Sequence, residues 1–438
     1  MCRYVSLTRV LLLILFLGQV SIANSAESPT VQVIKVEIVS ADGKYQLLRG
    51  GQPYVVKGAG INHTDLQSLA AHGGNSLRTW AVEHGAEPAQ QLLDRAHALG
   101  LTVSLCLEIA RERQGFDYND AAAVARQEAA TIATVRKYKD HPALLTWIIG
   151  NELNFDFENP KVYDAVNAIS KMIHEVDPNH PTTTTISGFE RSTISVIQAR
   201  APDLDFLSFQ LYKGLMDLPR HLEEVSLDKP YFVTEWGAVG HWEVGSTSWG
   251  APVEHTSSEK AENYSKSYRQ VIQPSAGQLL GDYVFLWGQK QEETPTWYGM
   301  YLATGEETEA IDVMHHIWNG KWPGNRAPGI SAVRLDNKTA FDNVTLSPGG
   351  SYTANIKVVD PEGDAISYEW KVRPESILQA VGGDHEEVPE VIGGLIEDPT
   401  AAEITLIAPE ATGAYRLYIY ARDGRNHAAH ANIPFFVE

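Results

Sequence analysis

The stretch "LLTWIIGNELNF" (Leu144–Phe155) is almost wholly apolar through Ile149 and then presents Gly150, Asn151 and Glu152 in succession. A short apolar run ended by glycine reads as a strand buried on both faces, with its polar residues delivered at the carboxyl end. Seven comparable runs lie around it: "YVVKGAG" (54–60), "GNSLRTW" (74–80), "LTVSLCLEI" (101–109), "TTTTI" (182–186), "LDFLSFQLY" (204–212), "YFVTEW" (231–236) and "GDYVFLW" (281–287). Between them stand segments such as "PAQQLLDRAHALG" and "PKVYDAVNAISKMIHEVDP", whose apolar residues return every three or four positions, as on a helix packed by one face. Strand and helix alternating eight times over residues 54–322 predict an α/β fold of the (β/α)8 TIM-barrel type. A doubly wound open sheet is the alternative, but "GAGINHTDL" after the first run lacks the full glycine fingerprint of a phosphate turn.

The 438 residues exceed one ordinary core, so a second, smaller domain is expected. Arg3 and Arg9 precede the run "VLLLILFLG", and small residues follow at Ser21, Ala23, Ser25 and Ala26. This pattern predicts a signal peptide over residues 1–26, export to the periplasm or the exterior, and no membrane insertion once it is cleaved; the run is short for a membrane anchor. With 35 Lys and Arg against 55 Asp and Glu the formal charge is −20, and loss of Arg3 and Arg9 makes it two more negative. Such a surface disfavours nucleic acid. Of the two cysteines only Cys106 follows the leader, which leaves no internal disulfide and no thiolate cluster for a metal. Neither metal nor cofactor is expected, and the oligomeric state is not legible.

In a barrel the βα loops converge at the carboxyl ends of the strands. Glu152 ends the fourth run, and "KPYFVTEWGAVG" brings Glu235 to the equivalent place on the seventh. Each alone is compatible with a solvated loop residue or a salt bridge. Two carboxylates at two strand ends of one barrel satisfy the needs of glycoside cleavage, one protonating the leaving oxygen and the other serving as nucleophile or base. Retention requires Glu152 protonated while Glu235 is ionised, hence unlike surroundings.

These residues resemble clan A of the glycoside hydrolases, whose acid/base and nucleophile glutamates end strands four and seven. "WIIGNE" is similar to the strand-four signature of family 2 and "FVTEWGA" to its nucleophile strand. The resemblance covers roughly residues 45–320 and implies Glu152 as acid/base and Glu235 as nucleophile of a retaining enzyme acting on β-linked oligo- or polysaccharides. It further implies Arg78 as support for the nucleophile, Tyr212 as its hydrogen-bond partner, Asn151 as a contact to the substrate 2-hydroxyl, and Trp287 as the aromatic beneath the sugar. The β-sandwich domains that normally precede a family 2 barrel have no counterpart in the short segment 27–53, which reads as a hairpin closing the barrel floor. A barrel followed by a β-domain is instead similar to families 158 and 72, which points to an endo-acting β-1,3-glucanase. A transglycosylase with the same residues and a catalytically inactive polysaccharide-binding barrel are the other readings.

Aromatic residues crowd the expected strand ends, among them Trp80, Trp236, Trp242, Trp249, Trp287, Trp297, Tyr298 and Tyr301, and flat rings suit sugar faces, although aromatics also fill cores. His63 and Trp236 complete the expected substrate-binding set. Glu108 has either a sugar or a nearby arginine, such as Arg111 or Arg113, as its partner. Residues 323–330 read as a Pro/Gly-rich linker, and 331–438 as an immunoglobulin-like sandwich of short alternating strands. Its turn "DPEGD" reads as a plain hairpin turn in preference to a Ca²⁺ site.

Overall fold

The computed structural model describes residue 1 and residues 33–61, 65–83, 87–225, 227–376 and 384–438. Residues 2–26 of the expected signal peptide, and His63, lie outside the described residues. Eight parallel strands form the centre: β1 (Val56–Ile61), β2 (Ser76–Arg78), β3 (Thr102–Leu107), β4 (Leu144–Ile149), β5 (Thr182–Thr183 and Thr185–Ser187), β6 (Leu207–Gln210), β7 (Tyr231–Gly237) and β8 (Leu279–Trp287). The sheet runs in the order β5, β4, β3, β2, β1, β8, β7, β6, β5, so it returns to the strand on which it began. Closure is made by the two pieces of β5. Thr182 and Thr183 pair with Trp147 and Ile148 of β4, whereas Thr185 pairs with Ser208 of β6.

Eight helices follow the strands in turn: α1 (Leu66–Ala71), α2 (Ala89–Ala98), α3 (Ala121–Tyr138), α4 (Lys161–Val176), α5 (Arg191–Arg200), α6 (Leu218–Val225), α7 (Ser257–Ser267) and α8 (Glu309–Asn319). Local sequence fixes their starts. The Asp120 carboxylate accepts the free amides of Ala122 and Ala123, and Thr256 with Glu259 forms a reciprocal capping box at α7. The strands are almost wholly buried because helices cover their outer faces, which is why β4 reads as a continuous apolar run. This is an α/β TIM barrel.

The barrel's amino-terminal end is covered by a hairpin of Val36–Ala41 and Lys44–Arg49, whose Val36 and Leu47 pack on Val56, Leu145, Phe206, Phe232, Leu280 and Tyr283. Above that floor the interior turns polar. The Tyr283 hydroxyl lies 3.0 Å from Ser76 Oγ and 2.7 Å from Ser104 Oγ, and Thr146 donates to Ser104 at 2.8 Å. The charged residues of the mouth therefore rest on a hydroxyl layer rather than on hydrocarbon.

Past α8 the chain enters two sheets enclosing one core, in which Leu335, Ala354 and Leu406 meet Trp370, Val372, Leu417, Ile433 and Phe435. The connecting segment is held on both sides: Ala327 N–H donates to Asp312 at 2.7 Å, and Asn325 donates to Asp423 at 2.7 Å. The turn at 360–364 brings Asp360 and Asp364 near Asp423, which already accepts from Asn325 and from the amides of Arg425 and His427. Between barrel and sheets lies a buried polar junction. Arg416 donates to Pro252 O at 2.9 Å, to Asn432 at 2.8 Å and to Glu375 at 2.8 Å. Asn432 in turn reaches Glu254, which is paired with Lys260 and accepts from Thr294 and Thr296. The segment read as a Pro/Gly-rich linker thus joins two units that share a buried polar interface.

Candidate active site

Glu235 lies on the inward face of β7, 5% exposed. Four side chains donate to it. Oε1 receives Arg78 Nη1 at 2.9 Å, Trp80 Nε1 at 2.7 Å and Gln210 Nε2 at 3.0 Å, and Oε2 receives the Tyr212 hydroxyl at 2.9 Å. They come from β2, the residues after it, β6 and the turn after β6, so the carboxylate is held from several strand ends at once. Four donors suit a negatively charged nucleophile, because its charge is solvated by fixed groups instead of by water. The Arg78 guanidinium also lies 4.9 Å from the Trp80 ring centroid.

Asn151 is tied into the same network. Its Oδ1 accepts Arg78 Nη2 at 2.7 Å, Gln210 Nε2 at 2.9 Å and Thr185 Oγ1 at 3.2 Å. Three donors on one oxygen settle the amide's orientation, leaving Nδ2 as the donor it offers.

Glu152 follows in a left-handed backbone conformation, φ 51°, directly after Asn151 and two residues after Gly150 at φ 73°. A non-glycine residue held there costs about 1–3 kcal/mol and persists only where its surroundings impose it. Here the Glu152 amide donates to Thr185 Oγ1 at 3.0 Å, its carbonyl accepts from the Phe155 amide at 3.1 Å, and Arg111 Nε donates to Asn151 O at 3.2 Å. Burial, and next the charge of Glu235, push the Glu152 carboxyl up to about 7; Ser187, Arg78 and Arg111 act in the opposite direction. Two glutamates in one mouth thus have unlike environments, one among donors and one desolvated beside a like charge.

The aromatic expectations fare differently. Trp287 is fully buried against Trp318, His72 and Tyr301, with centroids 5.6, 5.8 and 6.1 Å away. It belongs to the helical shell and does not lie beneath the mouth. The ladder between β8 and β1 shifts register between Val284 and Trp287, which re-aims the side chains at that end. Phe285 stands in the mouth instead, 5.7 Å from Trp80 and 5.8 Å from Tyr212, with Tyr298 alongside. Trp236 is likewise in the shell, its Nε1 donating to Asp282 at 2.9 Å and its ring 5.7 Å from Tyr264. Alternation requires this: when Glu235 points inward, its neighbour points outward. Arg111 and Arg113 are engaged elsewhere than Glu108, the latter with Asp384 at 3.3 Å.

Gln210 was not singled out from sequence, though its place two residues before Tyr212 is the signal that would have found it. Trp80, read there as a stacking ring, works here as a hydrogen-bond donor.

No family model and no curated protein matches the chain. Solved structures do. A candidate β-galactosidase from Bacteroides fragilis aligns with TM-score 0.50 and 13% identity over 93% of this chain and 58% of its own. A β-glucuronidase from Bacteroides uniformis gives 0.48 and 13% over 92% and 48%, respectively. A mutant family 5 glycoside hydrolase mannosidase from Rhizomucor miehei gives 0.47 and 15% over 66% of this chain and 97% of its own. The chain spans about half the length of the first structures it matches. At these identities the likeness bears on the fold. Among the described residues no helix is long and apolar enough to cross a membrane.

Proposed function

We propose that the protein is a retaining glycoside hydrolase of β-linked sugars. The reading is carried by the pairing of Glu235, held by four donors, with Glu152, partly buried and raised to about 7. In the first step a Glu235 oxygen attacks the anomeric carbon while Glu152 gives its proton to the departing glycosidic oxygen. In the second, Glu152 takes a proton from water, whose oxygen displaces Glu235 and restores the starting anomer. Arg78, Trp80, Gln210 and Tyr212 hold the nucleophile on the line of attack, and Asn151 Nδ2 offers a donor to a neighbouring hydroxyl. For the finer specificity we propose a neutral β-glucan, with β-1,3 linkage favoured. The support is the barrel followed by a β-domain, the aromatic mouth and a strongly acidic chain that disfavours polyanions. For the carboxyl-terminal unit we propose an immunoglobulin-like module; it sets strands 334–335, 351–355 and 403–407 against 345–346, 428–437, 413–422 and 367–374.

The acid/base assignment is tested by Glu152→Gln. Turnover of substrates with poor leaving groups falls by about 10²–10⁴-fold, whereas a leaving group that departs without a proton is lost far less. Equal losses on both would refute the role.

The same carboxyl sets a pH limit. Since Glu152 must be protonated to act, kcat/KM declines above about pH 7, and the decline disappears in Glu152→Gln. The sign for stability follows too: folded protein keeps a proton that the unfolded chain releases, so this contribution weakens as pH rises from the ordinary carboxyl range through about 7. A wild-type profile flat to pH 9 would count against Glu152 as the acid.

A further inference from the structure

Trp242 is 60% exposed, unlike the buried Trp236, Trp287 and Trp297. Its position is built. The Glu243 carboxylate accepts the amides of Lys213 at 2.8 Å, Gly214 at 3.1 Å and Gly240 at 2.9 Å, pinning the turn after β7 to the turn after β6. The indole folds back over Gly240, where a Cβ would lie 2.8 Å from it, so no other residue permits that approach. One edge meets the Tyr212 ring at 5.7 Å and 87°, and the other side meets His241 at 4.9 Å and 86°. Tyr212 is the residue whose hydroxyl holds Glu235, so a single tyrosine separates this open ring from the nucleophile.

A large exposed indole on a braced turn is costly to leave in water, and here it is continuous with the mouth. We propose that Trp242 is the platform of a second sugar subsite, stacking on the pyranose next to the one that reacts. The inference rests on the glycosidase reading and deepens it: the substrate is an oligosaccharide or polysaccharide, since a monosaccharide derivative leaves the platform uncovered. The C–H face of a β-linked glucose, whose hydroxyls are equatorial, matches a flat apolar ring and needs no charge.

The test compares wild type with Trp242→Ala and Trp242→Phe on two substrates: β-glucosyl fluoride, whose leaving group is one atom, and the β-1,3-linked glucose tetramer. The expected result is a loss of kcat/KM on the tetramer at least tenfold greater than on the fluoride in Trp242→Ala, with most of the difference recovered in Trp242→Phe. Equal losses on both substrates would mean that Trp242 acts only through Tyr212, and no loss on the tetramer would leave it a bystander; either overturns the subsite. Wild type that cleaves the fluoride but not the tetramer overturns it as well, while sparing the catalytic assignment. Folded wild type that cleaves neither removes the β-glucan specificity, and the subsite with it, while activity on an aryl β-glycoside of another sugar would still uphold the glycosidase reading.

Discussion

Glu235→Ala abolishes turnover of an activated aryl glycoside, with a loss on the order of 10⁴–10⁶, the scale seen when an activated nucleophile is removed. Azide or formate then restores product in the opposite anomeric configuration, because the small anion enters the space vacated by the carboxylate and attacks once instead of twice. The structure adds a condition. Arg78 is fully buried, and without Glu235 its Nη1 loses its anionic partner, a change that costs about 3–5 kcal/mol when a buried pair is broken. Added anion is therefore expected to raise the melting temperature of Glu235→Ala as well as its rate. Glu235→Gln, which keeps the shape, is expected to stay inactive and to resist rescue, since its amide fills the space. Restored product of unchanged configuration would contradict the nucleophile assignment.

Removal of the carboxyl-terminal unit is expected to have an effect of comparable size, on folding rather than on chemistry. A chain ending at Gly320 loses Arg416 and Asn432, the partners of Pro252 O and Glu254, and opens the Glu254–Lys260 pair to solvent. It loses apolar cover too. Val253 belongs to the core of the carboxyl-terminal sheets, Leu302 packs with Tyr418 and Tyr420, and Trp249 lies 5.7 Å from Phe436. His427, which pairs with Glu307 and is raised to about 9 in spite of burial, goes as well. We expect the truncated barrel to be insoluble or to unfold without a cooperative transition, and Arg416→Met in the full chain to lower the melting temperature measurably. A soluble truncated barrel with wild-type activity on a small glycoside would show that this junction is dispensable.

How far the sequence was legible follows from the range of the interactions involved. Glu152 and Glu235 stand out because apolar strands and the residues that end them are local patterns, and the eightfold alternation is a local pattern repeated. Arg78 and Tyr212 are named only through the resemblance to clan A. Trp236 and Trp287 were misplaced because their face depends on register: a shift between Val233 and Trp236 leaves Glu235 inward and Trp236 outward, and the shift between β8 and β1 turns Trp287 outward and puts Phe285 in its place. The docked interface was invisible for a different reason. Glu254 and Asn432 meet across 178 positions, and nothing near either residue announces the other.

The seam in β5 bears on how the two glutamates keep their distance. One piece of that strand is hydrogen-bonded to β4, which leads to Glu152, and the other to β6, the neighbour of the strand that carries Glu235, so the ladder is interrupted between them. Side-chain hydroxyls clasp the gap. Thr184 Oγ1 donates to Ile149 O at 2.7 Å, and Thr185, anchored on the far side, holds the Glu152 amide and the Asn151 oxygen. Carboxyl separation distinguishes a retaining from an inverting glycosidase. A buckle of two threonines therefore seats Asn151 and Glu152 against the ring, and under the proposed mechanism a drift there would move one acid relative to the other without touching either.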